Sequence, residues 1–312
     1  MKSRIATAAL AIALLTSVPA AADLFLFSTG SPDGKLGALS GRSFPANIET
    51  ETADDFLLTV PTVISQVTIH GLIPAGLPLS NITGVETEVY HIFPEASETG
   101  RTITVPTRTN SPADVEIAAA TRDSSGGTLG FAATLENASF TVANTVVNGI
   151  FAKPKQFTGG EGPATGEEVE IKITFTQPII LHEGHYFFRP EAQVTGGDFL
   201  YLSAPKPIVA PGTPFTPDLQ AWIRNANLAP DWLRIGTDII TNQGTAAFNM
   251  TFSLAGNTIP GAGIHGHPVC HGKTVSAMAH EFGGIKNAAL RLGFSSVAAL
   301  QNGVRVFCQS TI

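Results

Sequence analysis

Two segments of this sequence come close to catalytic motifs, but neither completes one. Residues 182–185 read His-Glu-Gly-His, one residue short of the His-Glu-x-x-His motif of zinc proteases. This segment is expected in a turn, where the i, i+4 spacing of a helix is not available to hold zinc. Residues 37–41, Gly-Ala-Leu-Ser-Gly, lack the spacing of a nucleophile elbow. The sequence therefore favours a protein that is not an enzyme.

Two glutamates in a predicted strand have a spacing that suits glycoside hydrolysis. Glu168 and Glu170 would stand roughly 6–7 Å apart on one strand face, and glycosidases act with a pair of carboxyl groups. Lys172 and Thr174 share that polar face. A solvated outer face accounts for all four residues, so a carbohydrate-active hydrolase is the alternative function rather than the first one.

Two consecutive aspartates are candidate ligands for a hard cation. Asp54 and Asp55 lie at the start of a predicted strand, with Glu49 and Glu51 just upstream. Carboxylate oxygens are the ligands that calcium prefers, so calcium is the candidate cofactor at Asp54 and Asp55. The spaced Asp-x-Asp-x-Asp pattern of a calcium loop is absent, and the alternative is a capping or turn role through side-chain hydrogen bonds.

Trp222 and Trp232 are the two tryptophans of the chain, and both lie in or beside a proline-rich segment, residues 204–231. Exposed indole rings would form a platform on which a sugar ring stacks, whereas buried rings would hold the segment against a sheet. Packing is the favoured role. Trp222 and Trp232 are nevertheless the candidate residues for binding a ligand.

The first 22 residues have the features of a signal peptide. Lys2 and Arg4 precede an apolar run at residues 5–18, and alanines at 20–22 match a cleavage site. The run is short for a membrane span, so we expect an exported chain, periplasmic or extracellular, with no membrane span after cleavage. Cleavage lowers Lys plus Arg from 18 to 16 against 25 acidic residues, a net charge of about −9. This charge argues against binding nucleic acid.

The two cysteines, Cys270 and Cys308, bracket one helical region. In an exported chain, two cysteines indicate a disulfide. A metal site near Cys270 is the alternative, and it would use four histidines: His265, His267, His271 and His280. The expectation is a disulfide between Cys270 and Cys308, with the histidines in a linker.

Short strands between turn residues are predicted from residue 23 to residue 255. The chain is 43% hydrophobic and 14% charged, with 31 Gly and 21 Pro, which favours many turns over long helices. No βαβ spacing is present, so the fold class is mainly β, an antiparallel β-sandwich or jelly roll. The predicted strands are residues 24–28, 55–59, 63–73, 85–93, 129–135, 168–176, 179–181, 185–194, 199–203, 233–240 and 247–254.

The strands at residues 168–176 and 185–194 are predicted to form an antiparallel hairpin. Residues 181–184, Leu-His-Glu-Gly, would form its tight turn. Apolar and polar residues alternate along the first strand, so Ile173 and Phe175 are expected in the core, and Glu170 and Lys172 in solvent.

The composition changes after residue 255. Residues 256–268 form a predicted linker, and residues 269–312 a helical mini-domain of three short helices, because apolar residues recur at i, i+3, i+4 and i+7. Gly283, Gly284 and Gly293 are stop signals, and Ser295 or Ser296 is the cap of the third helix.

The main region resembles a group of uncharacterised exported bacterial β-sandwich proteins. The resemblance depends on Thr-Ala-Asp-Asp-Phe at residues 52–56, on the apolar, turn, glycine and aromatic pattern of residues 179–188, and on residues 202–207 and 231–233. It implies a surface-sorted protein, although the Pro-Glu-Pro sorting tail of that group is absent here. The helical tail resembles a module found at the ends of exported proteins of soil bacteria.

Together these observations predict an exported, non-catalytic β-sandwich protein. Its partner would be a glycan, a cell surface or a surface protein. A carbohydrate-active hydrolase, or a structural component of an envelope or matrix, is the alternative.

Overall fold

The computed structural model describes residues 24–42, 48–151, 157–205, 208–209, 219–241 and 247–309. The predicted signal peptide, residues 1–22, lies outside these ranges. The fold is mainly β, with two packed sheets and a small helical region at the C-terminal end, as predicted. No helix in the described ranges has the length and apolar character needed to cross a membrane.

The described ranges contain seventeen strands and three α-helices. The strands are β1 (Leu24–Ser28), β2 (Leu36–Leu39), β3 (Thr50–Leu58), β4 (Thr62–Ile73), β5 (Ile82–Ile92), β6 (Pro112–Glu116), β7 (Arg122–Asp123), β8 (Leu129–Val142), β9 (Asn144–Val146), β10 (Ala164–Leu181), β11 (Gly184–Val194), β12 (Leu200–Ala204), β13 (Ile208–Val209), β14 (Trp222–Asn225), β15 (Leu233–Arg234), β16 (Asn249–Met250) and β17 (Phe252–Thr258). The helices are α1 (Cys270–Glu281), α2 (Ile285–Arg291) and α3 (Val297–Gln309).

Ten strands form the large sheet, in which β4 is central. On one side β4 pairs with β10, which pairs with β8. On the other side β4 pairs with β17 along most of its length and with β12 near its end. Beyond β17 lie β1 and then β13. β12 pairs with β2 and β16, and β9 follows β2. The small sheet has the order β15-β14-β3-β11-β5-β6, with β7 also paired to β5. Every pairing is antiparallel except that of β2 with β9.

The predicted hairpin between residues 168–176 and 185–194 is wrong, because the two strands lie in different sheets. β10 pairs with β4 and β8, whereas β11 pairs with β3 and β5. The segment at 181–184 therefore carries the chain from one sheet to the other. Strand alternation determines which face is buried but does not identify the neighbouring strand.

The predicted buried and exposed faces of β10 are confirmed for three of the four residues named, and the fourth, Glu170, is intermediate. Ile173 and Phe175 are buried, Lys172 is exposed, and Glu170 is half-buried. Aromatic rings fill the space between the sheets at this level of the sandwich. Phe252 of the large sheet lies 5.3 Å from Phe188 of the small sheet, measured between ring centroids. Rings at this separation add favourable contacts to the burial of apolar area.

The three predicted helices and the predicted disulfide between Cys270 and Cys308 are confirmed. The helix ends follow the expected signals. Gly283 and Gly293 adopt positive φ angles of 69° and 83°, and the Ser296 hydroxyl accepts a hydrogen bond from the Ala299 amide at 3.0 Å, as an N-cap does.

The helical tail shares a hydrophobic core with the sandwich. Met278, Phe294 and Leu300 of the tail pack with Val63 of β4 and with Ile259, which follows β17. The sandwich strand runs to Thr258, beyond the predicted boundary at residue 255. The tail is thus docked on the outer face of the large sheet.

A second sequence prediction is also wrong. Residues 233–240, predicted as one strand, form the two-residue strand β15 followed by a π-helical turn, Ile235–Ile240. The carboxylate of Asp238 accepts hydrogen bonds from the Arg234 amide at 2.8 Å and from its guanidinium at 2.6 Å. These local bonds give the backbone an alternative to a strand ladder.

Candidate functional site

A cleft with a volume of about 840 Å³ lies where the helical tail meets the sandwich. One wall is the segment at 181–186, which crosses between the sheets, and the opposite wall is the face of α3 that carries Asn302 and Val306. Residues 117–122 and residues 261–265 close the ends. The docking of the tail therefore creates the cleft, and neither part would form it alone.

His182 links the crossing segment to the tail. Its Nε2 donates to the backbone oxygen of Phe307 at 2.9 Å, and its ring stacks on the Phe307 ring with centroids 3.8 Å apart. The ring of His265 lies 4.4 Å away. Burial lowers the pKa of His182, so the neutral ring is favoured in this position.

An imidazole–carboxylate pair stands at the wall of the cleft. His185 lines the cleft, and its Nε2 is hydrogen bonded to the buried carboxylate of Asp55. Asp55 also accepts the backbone amide of Leu219 at 3.1 Å. These contacts fix the orientation of the His185 ring, which is a requirement for a histidine that binds a ligand or moves a proton.

A fourth histidine, His91, also lines the cleft. Its Nδ1 lies 3.0 Å from Oε2 of Glu95. Burial lowers its pKa, an effect that the nearby Glu95 opposes. His91 also lies 5.5 Å from Tyr186, between ring centroids. The hydrogen-bonding groups of the cleft therefore include imidazoles, a phenol and carboxylates.

Arg122 supports the end of the cleft. Its guanidinium donates to the backbone oxygens of Gln177 at 2.5 Å, Thr121 at 2.7 Å and Ala119 at 3.0 Å. Burial lowers its pKa to about 10. The side chain joins the segment before β7 to the irregular part of β10, and so shapes the cleft.

Asp54 and Asp55 do not converge on one site, because they are consecutive in β3 and point to opposite faces. Asp54 accepts the backbone amide of Met250 at 2.7 Å between the sheets, whereas Asp55 faces His185 and Leu219. Within the described ranges no group of three or more metal-ligating side chains is present. Calcium binding at Asp54 and Asp55 stays a prediction. The alternative, a capping or turn role, is not what the structure shows, because both residues lie within β3 and bond to amides of distant segments.

Trp222 and Trp232 do not form an exposed platform. Each is 1% exposed, and they pack with Ala53, Tyr90 and Phe187 on the outer face of the small sheet. The Trp232 Nε1 donates to the backbone oxygen of Ala113 at 3.3 Å. The candidate ligand-binding role of these two residues is therefore corrected: the large apolar area of each ring is used to cover the sheet.

Glu168 and Glu170 share one face, as predicted, but a histidine that the sequence did not single out lies between them. His70 Nδ1 is 3.4 Å from Glu168 Oε1, and its Nε2 is 3.8 Å from Glu170 Oε2. Glu168 is largely buried, so this face is less solvated than expected. The pair does not line the cleft.

The predicted linker histidines separate in the structure. His265 lies in the cleft beside His182, whereas Cys270 is bonded to Cys308 and so is not a metal ligand. His267 and His280 are exposed. The alternative Cys/His metal site is therefore not formed.

A buried charged cluster lies on the outer face of the small sheet, away from the cleft. Arg189 is 2.5 Å from Glu88 and 2.7 Å from Glu191, and Arg224 is 2.7 Å from Glu51. All five residues are at most 8% exposed. The sequence did not point to this cluster, because charged residues that alternate with apolar ones are typical of a solvated face.

Comparison of the chain with protein-family models, with curated proteins and with solved structures found no match. The resemblance to exported β-sandwich proteins therefore stays an expectation. What the chain does has to be inferred from its own geometry.

Proposed function

We propose that the mature chain is an exported, non-catalytic protein that binds a glycan in the cleft between the sandwich and the helical tail. The observation that carries this proposal is the cleft itself. Its volume of about 840 Å³ falls in the range of about 300–1,000 Å³ that is usual for ligand sites. The predicted signal peptide supports export.

The side chains of the cleft suit a ligand with several hydroxyl groups. The amide groups of Gln177 and Asn302 both donate to and accept from hydroxyls, and the carboxylate of Glu183 accepts from them. Ile117 and Phe294 supply apolar surface on which the C–H face of a sugar ring would pack. With Trp222 and Trp232 buried, this cleft replaces the tryptophan platform as the proposed ligand site.

A glycan array probed with the mature protein tests this proposal. Duplicate arrays with calcium and with a chelator also test the predicted cofactor. Selective binding to a group of related glycans is expected. Binding to none of them would overturn the glycan proposal, and binding that the chelator leaves unchanged would remove calcium from it.

A hydrolase is the second candidate, and the paired Asp55 and His185 at the cleft wall favour it. A carboxylate that orients an imidazole is the usual arrangement of a histidine general base. Turnover of chromogenic glycosides or esters by the mature protein, lost in Asp55→Asn, would support this candidate. If glycans bind but are not hydrolysed, the hydrolase candidate is rejected and the binding function is retained.

A further inference from the structure

The edge strand β8 differs from the other edges of both sheets. It is 14 residues long and pairs with β10 along one side. In the described part of the chain no strand pairs with its other side. The remaining edge strands β6, β7, β9, β13, β15 and β16 have two to five residues each. Short edges are one way in which proteins avoid unwanted pairing, so β8 is the exception that needs an explanation.

The sequence of β8 lacks the other devices that protect an edge. Residues 129–135 read Leu-Gly-Phe-Ala-Ala-Thr-Leu, without a charge or a proline, and Glu136 is the one charged residue of the strand. Charged residues, prolines and bulges normally keep exposed edges apart. The irregular pairing of β8 is confined to the part after Leu135. Residues 129–135 are therefore a regular and uncharged edge in a chain whose net charge is −7.

Apolar side chains on the inner face of β8 are incompletely covered. Their neighbours on β10, Ile171 and Ile173, are 0% exposed. By contrast Phe131 and Ala133 are half-buried, and Leu135 is 43% exposed. A further strand beside β8 would bury this row and would satisfy the open backbone groups.

We propose that the occupant of this edge is the β8 strand of a second copy of this chain, paired antiparallel about a two-fold axis at Ala133. In this register Phe131 faces Leu135 of the second copy. Glu136 faces Gly130 of the second copy, so the glutamates of the two molecules are not opposite each other. The same patch serves both molecules, as a two-fold interface requires.

The neutrality of the edge is the reason for choosing a second copy over a foreign strand. Two acidic molecules repel each other over most of their surfaces, and β8 is the long edge where close approach brings no like charges together. The regular segment spans roughly 24 Å at the usual strand rise. This is a small contact, so the dimer is expected to dissociate at concentrations on the order of micromolar.

Paired lysines on the outer face of β8 test the interface. Ala132 and Thr134 are both exposed. In the proposed register Ala132 of one molecule faces Thr134 of the second molecule, and Thr134 faces Ala132. Ala132→Lys with Thr134→Lys therefore places lysine opposite lysine twice. The control, Ser276→Lys with Ala298→Lys, adds the same charge at exposed positions of α1 and α3.

Sedimentation velocity over a concentration series gives the outcome. Wild type and control are expected to dimerise as concentration rises, and the β8 variant to stay monomeric with an unchanged melting temperature. Wild type that remains monomeric over its whole soluble range overturns the proposal. Equal dimerisation of the β8 variant and the control does so as well.

Single cysteines test the register. Cys270 and Cys308 are bonded to each other. An introduced cysteine can therefore form a disulfide only with the same cysteine of a second molecule. Residues directly opposite have Cβ atoms about 5 Å apart, and Ala133→Cys should form a disulfide dimer rapidly under mild oxidation. In Glu136→Cys the two thiols are about 20 Å apart, and cross-linking should be slow. Similar rates for the two variants would contradict the register.

Discussion

At the scale of single residues, the buried charges on the outer face of the small sheet balance only if one carboxyl group is neutral. Arg189 and Arg224 supply two positive charges, and Glu51 and Glu88 supply two negative ones. Glu191 is 0% exposed. Burial raises its pKa to about 8, although Arg189 acts in the opposite direction. A protonated Glu191 lets the cluster be buried without an excess charge, which would be costly in this environment.

Substituting Glu191 by glutamine should remove a pH dependence of stability. The pKa of Glu191 rises from 4.5 in the unfolded chain to about 8 in the folded one. The folded state therefore binds more protons in that window, and stability falls as pH rises from about 4.5 to about 8. The unfolding equilibrium constant should change by about tenfold per pH unit through this group.

Urea denaturation of wild type and Glu191→Gln between pH 5 and 9 measures this effect. The variant should lose less stability than wild type as pH rises. Glu183→Gln, at an exposed glutamate, is the matched control and should follow wild type. Parallel curves for all three proteins would show that Glu191 does not hold a proton in the folded state.

At the scale of elements, β10 is the strand whose two faces differ most clearly. Phe175 is 3% exposed between the sheets, whereas Lys172 on the same strand is exposed. Phe175→Ala should lower the free energy of unfolding by about 3–5 kcal/mol, because a buried ring is removed and a cavity remains. Lys172→Ala should have an effect within about 0.5 kcal/mol. Equal denaturation midpoints would show that the register of β10 is wrong.

The disulfide-closed tail is expected to unfold before the sandwich when its disulfide is removed. Closing a loop of 38 residues contributes roughly 4 kcal/mol in the chain-entropy model. Cys270→Ser with Cys308→Ser should therefore lose hydrogen-exchange protection in α1, α2 and α3, while β10 and β11 keep theirs.

One control and one further expectation accompany that experiment. Thiol labelling of denatured wild type should find no reactive cysteine. The tail shares a core with Val63 and Ile259, so some loss of protection at the start of β4 is also expected. Simultaneous loss over the whole sandwich would mean that tail and sandwich form one cooperative unit.

At the scale of the whole molecule, local patterns predicted more than long-range contacts did. The alternation in β10, the helical period after residue 269 and the two cysteines predicted a sandwich with a stapled helical tail. Alternation could not show that β10 and β11 separate into different sheets, because both arrangements bury the same face. Arg189 and Glu191, which the sequence did not single out, are buried on the outer face of the small sheet, where Trp222 and Trp232 also pack.

The cleft could not be predicted from the sequence either, because it depends on long-range contacts. His182, His265 and Asn302 are far apart in the chain and meet only because the tail docks beside the crossing segment. The sequence drew attention to residues 182–185 because their histidines resemble a zinc motif. That resemblance does not explain why His182 and His185 lie in the cleft. Their position follows from the change of sheet at this point of the chain.

Blocking the cleft tests the central claim most directly. Val306 lines the cleft and is 36% exposed, and Leu290 on α2 is 78% exposed and lies outside it. Val306→Trp fills the cleft, while Leu290→Trp adds the same ring elsewhere on the tail. The measurement is calorimetric titration of wild type and both variants with the glycan that binds best on the array. We expect Val306→Trp to weaken binding at least about tenfold, or about 1.4 kcal/mol, and Leu290→Trp to bind as wild type does. Unchanged binding by Val306→Trp would contradict the assignment of the cleft as the ligand site.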